Sequence, residues 1–482
     1  MEEAENNPVC GGEGVSADDL TRSERNMASA DLKKLIIQYS IPTIISMFIN
    51  ALYNMVDRFW VGQIPGEGAM ALAGVGVTMP IMVFGLGFSM LIGIGSAADI
   101  SINLGRRDRD SAEKTLGAAF TLSMIVAAVI TCLGFALKDK LLSGLGASEE
   151  IRPYSDAYIS VIMAGFVFQI LSFAMNHPIR AAGNTKRFAS SQLIGAITNA
   201  ILDPILIFGF NMGVRGAAIA TIFSMFLSTC WIFSYHFSNK SLLKIRLKNL
   251  KPTMRTFNRI ISIGFSPFFM QIAASLVILM LNRSFKYYGM KELGNDFIAL
   301  SAMTIVTGVQ MVVTMPVIGI NQGAQPIIGF NYGARRFDRL KEAYKWTIIY
   351  AMSISAFLSL LCEIFARYVV RAFNDDPSLN ALSAYGLRVM AVSFLAVGFQ
   401  SPTVTFFTAI GRAKISAFLS LLRQVILLIP ATVLLPMFFG LNGVWFAAPF
   451  ADVLSAVITV FFIAREFRIL NAVSPIAKRS PF

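Results

Sequence analysis

Charge is what this sequence has least of. Of its 482 residues only 14% are charged while 55% are hydrophobic, and the mean hydropathy is +0.63. A soluble globular chain carries about 25% charged residues. This one lacks the polar surface for a soluble enzyme, a nucleic-acid-binding protein or a disordered scaffold. Histidine is nearly absent, His177 and His236 being the only two, which removes His-rich metal and acid–base chemistry. The four cysteines, Cys10, Cys132, Cys230 and Cys362, form neither a CxxC nor a His/Cys spacing. Three of them lie in apolar runs and read as buried, inert thiols. A signal-peptide hydrophobic region is missing too. Residues 1–34 are polar and glycine-rich and read as a disordered tail, the first span being retained as an anchor.

What the chain has in abundance is long apolar runs. A helix needs about 20 apolar residues to cross a bilayer, and the run from 35 to 56 holds no charged residue. Further runs lie near 71–98, 116–137, 157–179, 188–210 and 216–237, then near 260–281, 297–330, 346–366, 380–409, 414–437 and 442–464. That makes two blocks of six: a lobe over 35–237, an inter-lobe linker over 238–259, a second lobe over 260–465 and a tail over 466–482. With both termini cytoplasmic, 29 of the 41 Lys and Arg fall on the inner side and 10 on the outer, Arg388 and Arg423 remaining inside spans. The formal charge of +13 is therefore largely an orientation signal, with anionic lipid as its counter-charge.

The two blocks echo each other. LGRRDRDSAEKT after the second run resembles YGARRFDRLKEA after the eighth, with Gly105 and Gly333 in register. AAGNTKRFAS resembles TAIGRAKISAF, aligning Gly183 with Gly411, and GVRGAA matches GLNGVW, aligning Gly213 with Gly440. Pro42 and Pro267 sit at equivalent points of the first and seventh runs. An even number of spans per block gives both halves the same orientation. The fold expected is an all-α integral membrane protein of twelve transmembrane helices, in two six-helix lobes related by a pseudo-twofold axis along the membrane normal. Two such lobes around a midplane cavity form an alternating-access carrier.

The few charges inside spans then become informative, because each is expensive in lipid and faces a cavity or a partner. Asp57 ends the first span. Asp203 lies in the fifth, with Asn199 four residues earlier on the same helical face. Counted from the hairpin tips near Pro65 and Met212, Asp57, Asp203 and Thr221 all lie about eight or nine residues deep, roughly 13 Å below the outer turns. Oxygen ligands suit a hard cation. A carboxylate in low dielectric also disfavours its charged form, so the set fits H⁺ or Na⁺. The bland alternative pairs Asp57 with Arg58 and satisfies Asp203 with local hydroxyls. Pro42, about four turns below Asp57, removes a backbone hydrogen bond and permits a hinge. In the second lobe Glu363 and Arg388 flank one hairpin and read as a buried ion pair. Arg423 and Asp452 differ by about five residues in depth, so their pairing is less well specified. His177 beside Asn176 reads as structural, and Asp99 has no evident role. The 40 Phe and 23 Met can line a cavity for varied apolar or cationic ligands.

These motifs resemble the multidrug and toxic compound extrusion (MATE) family, within its DinF-like branch and most similar to MepA-type multidrug efflux pumps. The resemblance covers about residues 35–465. It rests on IPTIISMFINALYNMVDRFWVG, the LGRRD turn, IRAAGNTK, NAILDPILIFGFNMGVRGAA and NQGAQPIIGFNYGARR. It implies export of cationic or amphipathic organic compounds by antiport with H⁺ or Na⁺, through alternating access and with no cofactor beyond the coupling ion. The branch's cation site falls here on Asp57, Asn199, Asp203 and Thr221, and its kink proline on Pro42. A fourth-span Asn of the same network falls on Asn176, which the depth count places nearer the cytoplasm. The second-lobe carboxylates of the NorM branch are absent from the seventh and tenth spans. The partners expected are drugs, the coupling ion and membrane lipid, with no nucleic acid. The location expected is a bacterial inner membrane, as a monomer with both termini cytoplasmic. A lipid-linked precursor flippase of the same superfamily is the alternative carrier. A passive channel would conduct without coupling, and a membrane enzyme would need a catalytic constellation that the spacing does not offer.

Overall fold

The computed structural model describes residues 22–65, 67–145, 149–238, 241–251, 253–294, 296–371 and 377–477. Among them there is no strand. The chain runs α1 (Arg22–Ser29), α2 (Leu32–Gly62), α3 (Gly68–Gly105), α4 (Arg109–Gly144), α5 (Arg152–Ala164), α6 (Phe166–Ala181), α7 (Thr185–Pro204) and α8 (Gly213–His236). It continues with α9 (Met254–Leu293), α10 (Asp296–Gly333), α11 (Phe337–Arg371), α12 (Pro377–Ala409), α13 (Ala413–Leu421) and α14 (Ile429–Ala477). Side chains placed to accept from free N–H groups start several of them: Asp31 for α2, Asp108 for α4, Asn184 for α7 and Thr253 for α9.

Among the described residues ten helical stretches are long and apolar enough to cross a membrane, and α5 with α6 makes an eleventh span bent by 52° at Gly165. The stretch Ala413–Ala472 is 60 residues long and contains two spans. They part at Gly440, whose φ of 57° and ψ of −137° lie outside the helical region. The protein is a multi-pass, twelve-span membrane protein built as two six-span lobes.

The glycines that mark the internal repeat carry physical reasons. Gly183 and Gly411 have φ of 86° and 76°, and Gly213 and Gly440 have φ of 54° and 57°. All four hold left-handed turns that a side chain would strain. Gly105 and Gly333 do something else: a Cβ on Gly105 would strike the Phe330 carbonyl of α10, and one on Gly333 would strike the Ile102 carbonyl of α3. The two helix ends cross backbone to backbone, each repeat glycine against the other lobe.

Packing divides the molecule into two ends. At the end carrying the termini a single core spans both lobes, with Met27, Ile100 and Ala174 buried together with Ile260, Ile327 and Leu470. At the far end there are two cores: one around Val61, Tyr158 and Phe166 and the other around Phe285, Phe394 and Trp445. Cross-lobe contacts follow the same division. Thr43 Oγ1 donates to the Gly319 carbonyl at 2.6 Å, and Arg180 donates to the Gln322 carbonyl and, at 2.9 Å, to Gln325 Oε1. Farther from the termini, Phe84 and Phe88 on α3 meet Phe268 on α9 with ring centroids 6.5 and 4.8 Å apart. The lobes are joined at the terminus end and part beyond those rings.

Some expectations change. The tail expected to be disordered through residue 34 is helical from Arg22. Met27 is fully buried, and the Ala28 carbonyl accepts from Arg336 at 2.6 Å; residues 1–21, with Cys10, lie outside the described residues. Helix α9 starts at Met254 and takes Arg259 out of the linker, because polar side chains can occupy a first turn at the membrane boundary. At the other end α14 continues to Ala477, well into the expected tail. Among the described cysteines Cys132 and Cys230 are exposed and Cys362 is buried.

Candidate functional site

The first lobe brings four of its predicted polar residues to one place. Asp203 sits in the last turn of α7, Asn199 one turn earlier, Thr221 on α8, and Asp57 near the end of α2, which packs on α7. Asn199, Asp203 and Thr221 are fully buried and Asp57 is 8% exposed. The i,i+4 spacing on α7 lets Asn199 Nδ2 donate to Asp203 Oδ1 at 3.0 Å, and the same amide reaches Thr221 Oγ1 at 3.4 Å. The packing of α2 on α7 brings Asp57 to the side of the lobe that carries Asp203. Pro204 follows Asp203, and the next residues, Ile205–Gly209, form a wider π-helical turn. Proline supplies no N–H, so the ladder is loosened where the carboxylate is presented.

What this cluster lacks is donors. Asp57 Oδ1, Asp203 Oδ2 and Asn199 Oδ1 are all buried without a hydrogen-bond partner among the described residues. Three convergent acceptors beside two carboxylates suit a proton or an oxygen-seeking cation, because leaving them bare costs about 1–3 kcal/mol each. Arg58 neighbours Asp57 in sequence, but its guanidinium is directed to Met79 Sδ at 3.8 Å.

A cavity of about 50 Å³ lies one helical turn nearer the termini, lined by Asn50, Ser172, Ser191, Gln192, Ser224 and Ser228. The serine hydroxyls donate to carbonyls, Ser191 to Phe188 at 2.7 Å, Ser224 to Thr221 at 2.7 Å and Ser228 to Ser191 at 2.9 Å. What they offer the cavity is oxygen lone pairs. The space holds about three waters.

The remaining predicted residues fall elsewhere. Asn176 does not join the cluster. It donates to the Phe188 carbonyl at 3.2 Å, and Phe188 stands eleven residues before Asn199 on α7, about 16 Å along the axis. The physical reason is that α6 crosses the other half of α7. Pro42 lies within an uninterrupted α2. The adjacent Thr43 hydroxyl also turns back to the Ser40 carbonyl at 2.8 Å, re-satisfying backbone around the proline. Glu363 and Arg388 pair at 3.9 Å but are 54% and 43% exposed, so the pair is not buried. Arg423 and Asp452 do pair, at 2.5 Å with Asp452 1% exposed. The π-helical turn Leu422–Leu428 shifts the register and takes up part of the depth gap, and the long arginine side chain reaches across the rest.

Sequence reasoning missed the cross-lobe set. Asp99 is paired to Arg259, and Arg180 is fully buried with His177 Nδ1 at 2.9 Å and Gln325. The signal available was the charge itself: Asp99 stood out in an apolar run, but nothing local identifies a partner 160 residues away.

Comparison with known proteins agrees with this architecture. The MatE family profile matches residues 42–205 and 292–434. The chain is 24% identical over 430 residues to the multidrug export protein MepA of Staphylococcus haemolyticus, covering 89% of this chain and 93% of that one. Two solved structures superpose with 24% identity, each covering 94% of this chain and 99% of the other. One is the outward-facing conformation of a multidrug resistance MATE family transporter of the MOP superfamily, with a TM-score of 0.86. The other is a MATE protein in the bent conformation, with a TM-score of 0.87.

Proposed function

The chain belongs to the MatE family, and from that premise we propose that it exports cationic or amphipathic organic compounds in exchange for H⁺ or Na⁺ by alternating access. The observation that carries the coupling is the donor-poor cluster of Asp57, Asn199, Asp203 and Thr221, whose three bare oxygens suit a shared cation, or a proton held on one oxygen and donated to another. The buried carboxylates of α14, Asp452 and Glu466, are already paired with Arg423 and Arg412, so coupling is assigned to the first lobe. The serine-lined cavity extends acceptor oxygens from the cluster toward the termini and gives the ion a path to that side. The cleft between the lobes, floored by Phe88 and Phe268, offers aromatic faces to a cationic guest.

With the termini cytoplasmic, the closed seam at the terminus end supports reading this structure as the outward-open state. Loading the Asp57 end of α2 bends that helix at Pro42, which lacks the hydrogen bond that would stiffen it. Entry of one positive charge down 100 mV provides about 2.3 kcal/mol, enough for about fifty-fold uphill export.

Drug uptake into inside-out vesicles, with pH and Na⁺ gradients imposed separately, tests the proposal. Wild type accumulates drug under one of the two gradients. Asp203→Asn inserts normally and abolishes accumulation, whereas full gradient-driven uptake by that variant would refute the assignment.

A further inference from the structure

Asp99 is a buried carboxylate whose two oxygens are shared between the lobes. Its Oδ2 is held from within the first lobe, by Asn103 Nδ2 at 3.1 Å and Thr115 Oγ1 at 2.6 Å. Its Oδ1 has a different partner, Arg259 Nε of α9 at 2.5 Å, across the boundary. The carboxylate is 3% exposed and the arginine 35%. Helices α3 and α9 are in close backbone contact here: a Cβ on Gly95 would strike the Ile260 carbonyl, and one on Gly264 would strike that of Leu91. The pair therefore sits in the seam that holds the terminus end shut.

The pseudo-twofold relation shows that an acid is not needed to close such a seam. The repeat register places Ile327, a fully buried apolar residue, at the position equivalent to Asp99. The matching crossing of α2 on α10 is fastened by neutral groups, Thr43 on the Gly319 carbonyl. The carboxylate is an addition to one side only.

On the transport reading above, the lobes must separate at the terminus end when the carrier faces the other way. Separation carries Arg259 off with the second lobe. Arg335, which lies in the same charge cluster, leaves with it, and Arg106 alone stays. Asp99 keeps both donors to Oδ2, so its rotamer is held, and Oδ1 loses the guanidinium in contact with it and faces the opening, with Arg106 the nearby cation. A bare carboxylate oxygen beside a low-dielectric wall draws in a cation, because an unpaired buried charge costs several kcal/mol.

We propose that Asp99 and Arg259 form a latch on the terminus-end seam, and that the oxygen released when it opens is a docking group for monovalent organic cations entering from that side. The arginine and the incoming cation then compete for one oxygen, so the closed state excludes the guest and the guest favours the open one. This rests on the transport reading, but latch and docking can each be measured without transport.

Two substitutions separate docking from mere latching, because both break the pair and only one removes the acceptor. Asp99→Asn keeps an oxygen for Thr115 and loses the charge, while Arg259→Gln frees the carboxylate. Ethidium binding to the purified full-length protein is followed by fluorescence. Asp99→Asn should weaken it about tenfold, the worth of a charged hydrogen bond of about 1.4 kcal/mol, and Arg259→Gln should leave it unchanged or tighten it. Equal weakening by both, no change in Asp99→Asn, or no binding by wild type would overturn the docking role.

The latch is read by labelling a cysteine at position 101, buried in the seam, with an impermeant thiol reagent in inside-out vesicles of a cysteine-free background. Both variants should speed labelling at least about threefold over the parent, the effect of about 0.6 kcal/mol. Unchanged labelling overturns the latch. Absence of drug uptake by the unmutated protein under either gradient would count against the transport reading and leave both of these measurements standing.

Discussion

Thr43 offers the cleanest test of how the lobes are held together. Its hydroxyl is fully buried and donates to the Gly319 carbonyl of the opposite lobe at 2.6 Å. Thr43→Val keeps the shape and removes the O–H. In water a buried hydrogen bond is worth about 0.5–1.5 kcal/mol net, and an orphaned partner costs up to about 3 kcal/mol. Two structural facts place this case at the lower end. Gly319 lies inside α10, so helix geometry gives its carbonyl the Gly323 N–H as a second donor. The threonine hydroxyl also reaches the Ser40 carbonyl at 2.8 Å within α2, a bond that survives when the lobes part. Only the cross-lobe contact differs between states. Interhelical hydrogen bonds in membranes average about 0.6 kcal/mol and reach about 1.7, which shifts the population toward the state open at the terminus end by about threefold and at most about eighteenfold.

Spin labels at positions 70 on α3 and 290 on α9, exposed at the far ends of opposite lobes, read that population as a pair of distances. Thr43→Val should raise the short-distance fraction, and Thr43→Ser, which keeps the hydroxyl, should restore it. An unchanged distribution in the valine variant, or an equal shift in the serine variant, would refute the assignment of the contact to one state.

Further expectations follow from the same geometry. Arg423→Gln strands Asp452, which is 1% exposed, and should cost about 3–5 kcal/mol. Glu363→Gln breaks a half-exposed pair and should cost under about 1 kcal/mol; equal falls in the thermal midpoint of the two purified variants would contradict the burial contrast. Trp445, fully buried against Phe285 with ring centroids 4.6 Å apart, should cost about 3–5 kcal/mol on truncation to alanine, seen as a marked loss of folded protein on heating in detergent. Asn199→Ala removes the donor to Asp203 at 3.0 Å and should abolish gradient-driven drug accumulation while surface expression holds; intact accumulation would remove Asn199 from the coupling site.

The candidate site was legible where geometry is local. The rise of a helix is constant, so counting residues from hairpin tips predicted that Asp57, Asp203 and Thr221 lie level, and Asn199 follows from its i,i+4 spacing. Asn176 failed because similarity of motif does not report which half of α7 its helix crosses. Arg423 and Asp452 looked mismatched in depth because a straight helix was assumed, and a π-helical turn alters that count. The repeat glycines were visible as landmarks, but their reasons were not. Left-handed turns at Gly183 and Gly411 and backbone crossing at Gly105 and Gly333 appear only once both lobes are folded.

The sequence by itself determined that this chain enters a membrane, in twelve spans and two repeated halves, and which of its few buried charges sit in one lobe. Hydrophobic length and helical period are properties of single segments, so they survive without tertiary knowledge. Only the tertiary structure decided which end of the molecule is closed. That depends on α3 meeting α9 and α2 meeting α10 across the lobes, contacts between residues more than 150 positions apart. It also gave Asp99 a partner. A carboxylate in a span announces that it needs one, and the packing of the opposite lobe supplies Arg259.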